Sequence, residues 1–409
     1  MAPKIFYSVV PAHLQAMKKL PWRHPIEQWR KLGVKHLDIK QGAGRHPVVF
    51  VRVAGQDYVI KELGLEAAKR EVENYSEILA RGVHTLVPVG YVAREEALRG
   101  LRTRIGVQYE KTVAAHSVTL LMDRVVPDSF LYRRAFKPEN RQRIWDAIVD
   151  LFVELHTNGI YWGDASLANT LVKFLKVEIP HIGKRTQLKA YLADAETVEI
   201  HKTISDSLRQ ADIDFFLESM DWLNEDLRAS GIVRDDLATA SDKEYVQTQY
   251  EKMFDVAVEG KEFERRHGID MRRYLGPVRD VIYFDTLDKH IAEHKWYLSE
   301  REKQEVDMKV AAQDWLDHVF LPTCELFKRE GVLDFFPGKT ASELYVETMT
   351  HKYYLSKEQQ SDVGILFAIR DYARRFGHED SLAAFWSNLA EKMRDILGLG
   401  ARVLLGLVE

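Results

Sequence analysis

The chain has 409 residues, which is enough for two or three domains with a sizeable core. Its 58 Lys and Arg residues against 62 Asp and Glu residues exclude an overall basic surface, so we expect no nucleic-acid partner. Cys324 is the single cysteine, so no internal disulfide or cysteine zinc site can form, and a reducing, cytoplasmic location is expected.

The first elements predicted along the chain are strands. Residues 1–35 have a mixed pattern and are predicted to be an N-terminal extension. From residue 36, β-branched runs alternate with Gly- and Asp-containing turns, a pattern typical of an antiparallel meander. The predicted strands are His36–Lys40, Val48–Val53, Tyr58–Leu63, Leu86–Val92, Ile105–Tyr109 and Val118–Met122. One helix, from Leu65 to Leu79, interrupts them, so residues 36–126 are expected to form a small lobe.

The chain becomes mostly helical after Glu139. Apolar residues from Ile144 to Leu155 form the stripe of one long helix, which Asn158-Gly159 ends. A hairpin of Thr170–Leu175 with Lys189–Ala193 is the one strong β signal in this half. The predicted domains here are a mainly helical lobe, residues 127–275, and a helical C-terminal region, residues 276–409. Within the latter, the apolar stretch 396–408 is too short to span a bilayer and predicts an amphipathic helix.

The C-terminal region contains a short internal repeat. Glu293–Ser299 recurs 57 residues later as Thr350–Ser356, and both segments carry His-Lys, two aromatic residues and Leu-Ser. Two copies of a helical unit are therefore predicted, near residues 290–320 and 347–377. In both copies the serine is expected to cap the start of a helix.

Three roles for this repeat remain open from the sequence. His290 and His294 lie four residues apart, a spacing found in metal sites, although the second copy has Glu347 in place of His290. The His-Lys-aromatic segments could instead serve helix packing. The third interpretation is a duplicated patch that binds an anion or a protein partner, in which Lys295 and Lys352 would matter for recognition.

Candidate catalytic and metal-binding residues occur in a defined order along the chain. Lys61 lies in a predicted strand, and Asp164 follows the long helix, with Asn169 five residues later. Asp194 ends the second strand of the predicted hairpin. Magnesium prefers oxygen ligands, and an Asn amide with a carboxylate supplies them while leaving room for phosphate oxygens.

This order resembles that of protein-kinase-like proteins, and the resemblance implies that a glutamate on the first helix pairs with the strand lysine. The helix offers Glu66, Glu71 and Glu73. At about 100° per residue, Glu71 borders the apolar stripe, whereas the other two point towards water. Glu71 is therefore the predicted partner of Lys61.

The order of these residues resembles that of the protein-kinase-like superfamily. The resemblance implies an α+β, bilobal protein-kinase-like fold: a small antiparallel-sheet lobe and a mainly helical lobe, here followed by the helical region with its two-copy repeat. It implies that Lys61, held by Glu71, grips phosphates. It also implies that Asp164 faces an acceptor hydroxyl, and that Asn169 and Asp194 hold magnesium.

Longer motifs extend the resemblance from the superfamily to one family within it. They are Gly42–His46, Lys61–Leu63, Tyr132–Phe136, Trp162–Leu171, Ala190–Thr197 and His294–Ser299. Together they are similar to an uncharacterised bacterial family labelled lipopolysaccharide-kinase-like, and they span most of residues 20–375. This resemblance implies ATP as cofactor with Mg²⁺, and a set of nucleotide contacts. Those expected contacts are Lys61, Gly42, Gly44, Arg45, His46 and Met122.

The function implied is transfer of a phosphoryl group to a hydroxyl acceptor that the sequence does not identify. Two departures from the ordinary kinase pattern favour an alternative. Trp162 stands where protein kinases have histidine, and Glu196 stands where they have glycine. The alternative is a pseudokinase, a nucleotide-sensing scaffold that binds a protein partner through the helical repeat. A third hypothesis keeps the fold but transfers the nucleotide instead.

Overall fold

The architecture is mixed α+β, with an antiparallel sheet and a helical region. The computed structural model describes residues 4–39, 46–103, 106–127, 138–179, 183–231, 238–270, 280–336 and 339–377. The chain divides into two compact units. The first unit comprises residues 1–175 and 186–254, and the second comprises residues 176–185 and 255–409.

Six strands of the first unit form one antiparallel sheet, in the order β1-β5-β6-β4-β3-β2. The strands are β1 (Ile5–Val9), β2 (Lys35–His36), β3 (Val48–Val53), β4 (Gln56–Gly64), β5 (Pro88–Thr103) and β6 (Gly106–Leu120). The predicted bounds of β3 are confirmed, and β2 is shorter than predicted. The separate strands predicted at Ile105–Tyr109 and Val118–Met122 were wrong, because β6 continues through the polar residues between them. Its backbone pairs there with β5, where Arg99 lies opposite Glu110.

The N-terminal segment belongs to this sheet and is not an extension beside it. Strand β1 pairs with β5, from Ile5 opposite Arg94 to Val9 opposite Gly90. Helix α1 (Pro11–Met17) and the turns after it then bury large side chains in the same core. These side chains are Met17, Leu20, Trp22, Ile26 and Trp29. The described residues around position 35 therefore show no domain boundary there, although the sequence analysis placed one.

In the described residues between 65 and 267, four α-helices and five further strands follow. The helices are α2 (Leu65–Ala80), α3 (Pro138–Thr157), α4 (Asp206–Ala229) and α5 (Ala240–His267). The strands are β7 (Val125–Pro127), β8 (Ile160–Tyr161), β9 (Thr170–Ile179), β10 (Gly183–Leu192) and β11 (Glu199–Ile200). They form two small sheets, β10-β9-β7 and β11-β8. The hairpin β9–β10 is longer than predicted, and α3 ends before Gly159 as expected.

Gly159 occupies a turn that other residues cannot easily adopt. Its φ is +72°, its carbonyl accepts a hydrogen bond of 2.8 Å from His201 N, and a Cβ added to it would clash with the His201 carbonyl oxygen. We expect Gly159→Ala to lower the free energy of unfolding by about 3 kcal/mol. Gly55 is the matched control, because its φ is +85° and no atom lies within 4 Å of its added Cβ. Denaturant unfolding should show a loss of about 1 kcal/mol for Gly55→Ala; equal losses would contradict the clash.

The described part of the second unit beyond residue 280 is helical. Its helices are α6 (Ile282–Glu302), α7 (Met308–Trp315), α8 (Leu321–Arg329), α9 (Ala341–Gln359) and α10 (Ile365–Phe376). A π-helical turn, Leu316–Phe320, joins α7 to α8. Within the described ranges no helix combines the length and apolar character needed to cross a bilayer. The apolar stretch 396–408 lies outside the described residues.

One prediction for the repeat segments was wrong. Ser299 and Ser356 do not start helices but lie in the last turns of α6 and α9, where each hydroxyl accepts a hydrogen bond from a residue seven positions later. The charged residues after Ser299 are good helix formers and extend α6 to Glu302. The aromatic residues of the two segments are 58–63% exposed.

Candidate active site

The predicted strand lysine lies at the centre of a cluster of carboxylates in the first unit. Nζ of Lys61, on β4, lies 3.0 Å from Oε1 of Glu71 on α2 and 2.7 Å from Oδ2 of Asp194. Glu71 is buried, with 1% of its side chain exposed, whereas Asp194 is about a quarter exposed. Glu71 thus lies beside Lys61, as the sequence analysis expected, and Asp194 joins the pair, which was not predicted. Glu66, on the first turn of α2, is exposed.

Burial and charge act in opposite directions on this cluster. Burial raises the pKa of Glu71 above its ordinary value, although the Lys61 ammonium opposes that shift. Burial alone would lower the pKa of Lys61, but the carboxylates of Glu71 and Asp194 outweigh it and leave that pKa raised. Lys61 therefore remains a cation, and it is the charge that makes a buried carboxylate at position 71 tolerable.

Helix α2 also fixes the backbone around Asp194. Nδ2 of Asn74 donates hydrogen bonds to the carbonyls of Ala195, at 2.7 Å, and Val198, at 3.0 Å. The hydroxyl of Tyr75 donates to the carbonyl of Ala193 at 2.5 Å. One face of α2 therefore positions both the lysine, through Glu71, and the loop that carries Asp194. The sequence analysis missed Asn74 and Tyr75, although both follow Glu71 at near-helical spacing.

A buried carboxylate on α4 holds the loop that precedes Asp164. Oδ2 of Asp212 accepts a hydrogen bond from the backbone N of Trp162, and Oδ1 accepts one from the backbone N of Gly163, both at 2.7 Å. Asp212 is fully buried, and its Oδ2 also lies 3.1 Å from Nε2 of His156. Gly163 has a φ of +80°, so this turn suits glycine. Asp212 was missed, although a carboxylate beside Ile213 on the apolar face of a helix is a signal of a buried polar role.

The segment from Asp164 to Asn169 is tied to the Asp194 loop. Nδ2 of Asn169 donates to the carbonyl of Asp164 at 3.0 Å, which leaves the amide oxygen as the side-chain atom suited to a cation. The carbonyl of Asn169 accepts a hydrogen bond of 2.9 Å from N of Ala193, the neighbour of Asp194. Asp164 and Asn169 are both half-buried. The chain thus places Asn169 beside the end of the strand that leads to Asp194.

Trp162 and Glu196, the two residues that differ from the ordinary kinase pattern, both contact the residues of this site. The indole of Trp162 is buried, and its Nε1 donates to the carbonyl of Asp194 at 2.9 Å, so the residue helps to position the loop. Oε2 of Glu196 lies 3.8 Å from Nζ of Lys61 and 3.6 Å from Nε2 of His46. Glu196 therefore adds a further acidic group near the lysine, and His46 reaches the same cluster.

Most of the other predicted nucleotide contacts lie outside the residues that the structure describes. Gly42, Gly44 and Arg45 lie outside the described residues, as does the motif Tyr132–Phe136. Met122 is half-buried and follows β6, whose Leu120 lies opposite Tyr58 of β4.

The donor set at this site suits magnesium rather than a metal held by protein ligands alone. In the described ranges, no group of three His, Cys, Asp or Glu side chains could hold a metal ion. Asn169 and Asp194 offer one amide oxygen and one carboxylate. Magnesium is commonly bound by one or two such ligands together with water and phosphate oxygens, so these two residues fit that ion when it accompanies a nucleotide.

Comparison with known proteins gives a partial match in sequence and weak likenesses in structure. The family described as Domain of unknown function (DUF4032) matches residues 307–376, and no curated protein matches the chain. The chain is similar to WaaP in complex with acyl carrier protein, with 15% identity and a TM-score of 0.34 over 62% of this chain and 98% of that one.

Two structures of Rio2 kinase from Chaetomium thermophilum are also similar, each with 13% identity over 55% of this chain. The ADP/Mg²⁺-phosphoaspartate complex is covered over 74% of its length with a TM-score of 0.28, and the other structure over 76% with a TM-score of 0.29. At these TM-scores, function has to be argued from the site itself.

Proposed function

We propose that the first unit carries a protein-kinase-like, bilobal catalytic core that transfers a phosphoryl group from ATP, with Mg²⁺, to a hydroxyl acceptor. The observation that carries the proposal is the position of Lys61, whose Nζ lies within 3.0 Å of a buried Glu71 and of the half-buried Asp194. An ion pair this buried contributes little net stability, because desolvation offsets the attraction between the charges. A functional requirement for an oriented cation explains its presence better than folding does.

Each residue has a distinct task in this proposal. Glu71 and the face of α2 hold Lys61 so that its ammonium binds phosphate oxygens, while Asn169 and Asp194 hold the metal. Asp164 orients the acceptor hydroxyl and takes its proton. Bound ATP and Mg²⁺ would supply the phosphoryl group and neutralise its charge; the protein residues contribute position and electrostatics.

The metal role of Asp194 can be tested by binding. Asp194→Asn removes one negative charge with little change in shape, and we expect it to weaken Mg²⁺-ATP binding by about ten-fold or more. Isothermal titration calorimetry measures the affinity directly. Asp214→Asn is the matched control, because Asp214 is an exposed carboxylate on α4 and should leave affinity unchanged. Equal Mg²⁺-ATP affinity in the Asp194 variant and the unaltered protein would exclude the metal-ligand role.

Glu196 favours a second candidate, a nucleotide-sensing pseudokinase. Its carboxylate lies 3.8 Å from Nζ of Lys61 and would repel phosphate there unless the metal neutralises it. ATP labelled separately at the α- and γ-phosphates distinguishes the candidates. Transfer of the γ-label supports the phosphotransferase, transfer of the α-label supports nucleotidyl transfer, and binding with no transfer of either label supports the pseudokinase.

We also propose that α6–α7 and α9–α10 are two copies of one helical unit. Nε2 of His294 lies 2.7 Å from Oδ2 of Asp314, and the pair 57 residues later, His351 and Asp371, is joined at 2.8 Å. Ion pairs also recur at this offset: Lys295–Glu305 at 3.0 Å and Lys352–Asp362 at 2.8 Å. Both first helices end at a left-handed residue, Lys303 and Gln360. Matching contacts in matching places support a duplication.

A further inference from the structure

Exposed aromatic pairs are a shared feature of the two proposed copies that folding does not explain. Trp296 and Tyr297 are 58% and 60% exposed, and Tyr353 and Tyr354 are 62% and 63% exposed. In each pair the rings meet edge to face, with centroids 4.9 Å and 5.5 Å apart. Large aromatic residues in water contribute little to stability. Their presence at the same place in both copies therefore points to a contact made with another molecule.

The residues that follow each aromatic pair, unlike the pair itself, have structural roles. Leu298 and Leu355 are buried, 6% and 5% exposed, and pack into the helical core. Ser299 and Ser356 close the turn that follows each helix. The aromatic side chains have no such task in the residues that the structure describes, although both copies retain them.

Aromatic residues from both copies line one cleft, which we call the aromatic cleft. It has a volume of about 690 Å³ and lies between α6 and α9, with α7 contributing. Its aromatic lining includes Tyr297, Trp315, Tyr345, Tyr353 and Tyr354, with His290 and His294 beside them. Trp315 and Tyr345 are buried and joined by a hydrogen bond from Nε1 of the tryptophan, so they form a fixed floor.

The charge of the cleft favours an uncharged ligand. Its lining contains two acidic and two basic residues: Glu293, Asp362, Lys352 and Lys357. The cations next to the aromatic pairs are already neutralised, because Lys295 is bound to Glu305 and Lys352 to Asp362. A phosphopeptide or a nucleic acid would require an excess of positive charge, which this cleft lacks.

The exposure of the cleft walls favours a polypeptide over a small molecule. The three tyrosines on the cleft walls are 60–63% exposed, so the cleft is open to solvent. An open groove suits an extended segment of chain better than a small molecule, which is usually covered over about 70–90% of its surface. A polyproline II segment suits such walls, because prolyl rings stack on aromatic rings and the backbone of that helix has no internal hydrogen bonds. The hydroxyls of the cleft tyrosines can donate hydrogen bonds to its backbone carbonyls. An apolar amphipathic helix would suit an aliphatic groove better.

We propose that the aromatic cleft binds an uncharged, proline-rich peptide segment of a partner protein in the polyproline II conformation. The chain offers no such ligand itself, because none of its 12 prolines form a Pro-x-x-Pro motif. The proposal concerns the second unit and does not depend on phosphotransfer in the first. Tyr297 of the first pair and both tyrosines of the second pair line the cleft, so both copies can contact one extended segment.

The test uses the full chain and three display libraries of short peptides: one with a fixed Pro-x-x-Pro core, one of amphipathic helices, and one of Gly-Ser composition. We expect the proline library to be enriched. Fluorescence anisotropy of selected, labelled peptides then compares two double variants, Trp296→Ala with Tyr297→Ala and Tyr353→Ala with Tyr354→Ala. Each should raise Kd by about ten-fold or more.

Phe367→Ala is the control, because Phe367 is an aromatic residue of α10 that is 50% exposed and does not line the cleft. It should change Kd by less than about two-fold. All five substituted side chains are exposed, and circular dichroism should show intact helices in each variant. Enrichment of the helical library, of Gly-Ser peptides, or of none would overturn the proposal. So would proline peptides that bind both double variants as tightly as the unaltered protein.

Discussion

Asp212→Ala should lower the free energy of unfolding of the first unit by about 3 kcal/mol or more. The carboxylate is fully buried and accepts hydrogen bonds from the backbone N–H groups of Trp162 and Gly163. Its removal leaves two buried donors without acceptors and takes away the carboxylate beside His156. Differential scanning calorimetry should show a lower Tm for the transition of the first unit.

Asp214→Ala is the control for this measurement. Asp214 lies on the same helix, two residues away, but it is exposed and bound to Gln210. Its loss should change stability by about 0.5 kcal/mol or less. Asp212→Asn is a third variant, which tests the hydrogen bonds without a change of shape. Its amide oxygen can accept only one of the two backbone hydrogen bonds, and its N–H₂ group faces the other N–H donor. A thermal transition of Asp212→Ala that matched the unaltered protein would show that the loop before Asp164 is held by other contacts.

Helical periodicity was enough to predict the central ion pair. Glu71 was chosen over Glu66 and Glu73 because it borders the apolar face of α2, and that face is the one that contacts the sheet. The local sequence pattern also predicted the bounds of β3, because its run of β-branched residues lies between two predicted turns. Such predictions succeed where a residue's own neighbours in sequence determine its environment.

Contacts that depend on tertiary structure could not be predicted. Strand β1 has only five residues, and its place beside β5 is fixed by pairing with residues about 85 positions later. The role of Asp212 depends on the loop at Trp162, which lies 50 residues before it. The same limit applies to the aromatic pairs of the second unit: their sequence resembles a packing motif, and only the position of the neighbouring helices leaves them exposed.

The backbone around Asp164 is held by contacts that do not use its carboxylate, which allows the role of that carboxylate to be tested by itself. Asp212 binds the backbone of Trp162 and Gly163 immediately before it. The amide of Asn169 binds the carbonyl of Asp164 itself, not its carboxylate. Asp164→Ala therefore keeps both of these backbone contacts.

On the proposed mechanism, Asp164→Ala should lower turnover by about 10²-fold or more and leave Mg²⁺-ATP affinity within a few-fold of the unaltered protein. The reason is that Asp164 acts on the acceptor hydroxyl, whereas Asn169 and Asp194 act on the metal. Initial rates of γ-label transfer, measured with the acceptor found in the labelled-ATP screen, give turnover, and calorimetry gives affinity. Turnover within a few-fold would assign proton removal to another group. A parallel loss of affinity would instead place Asp164 among the residues that hold the nucleotide.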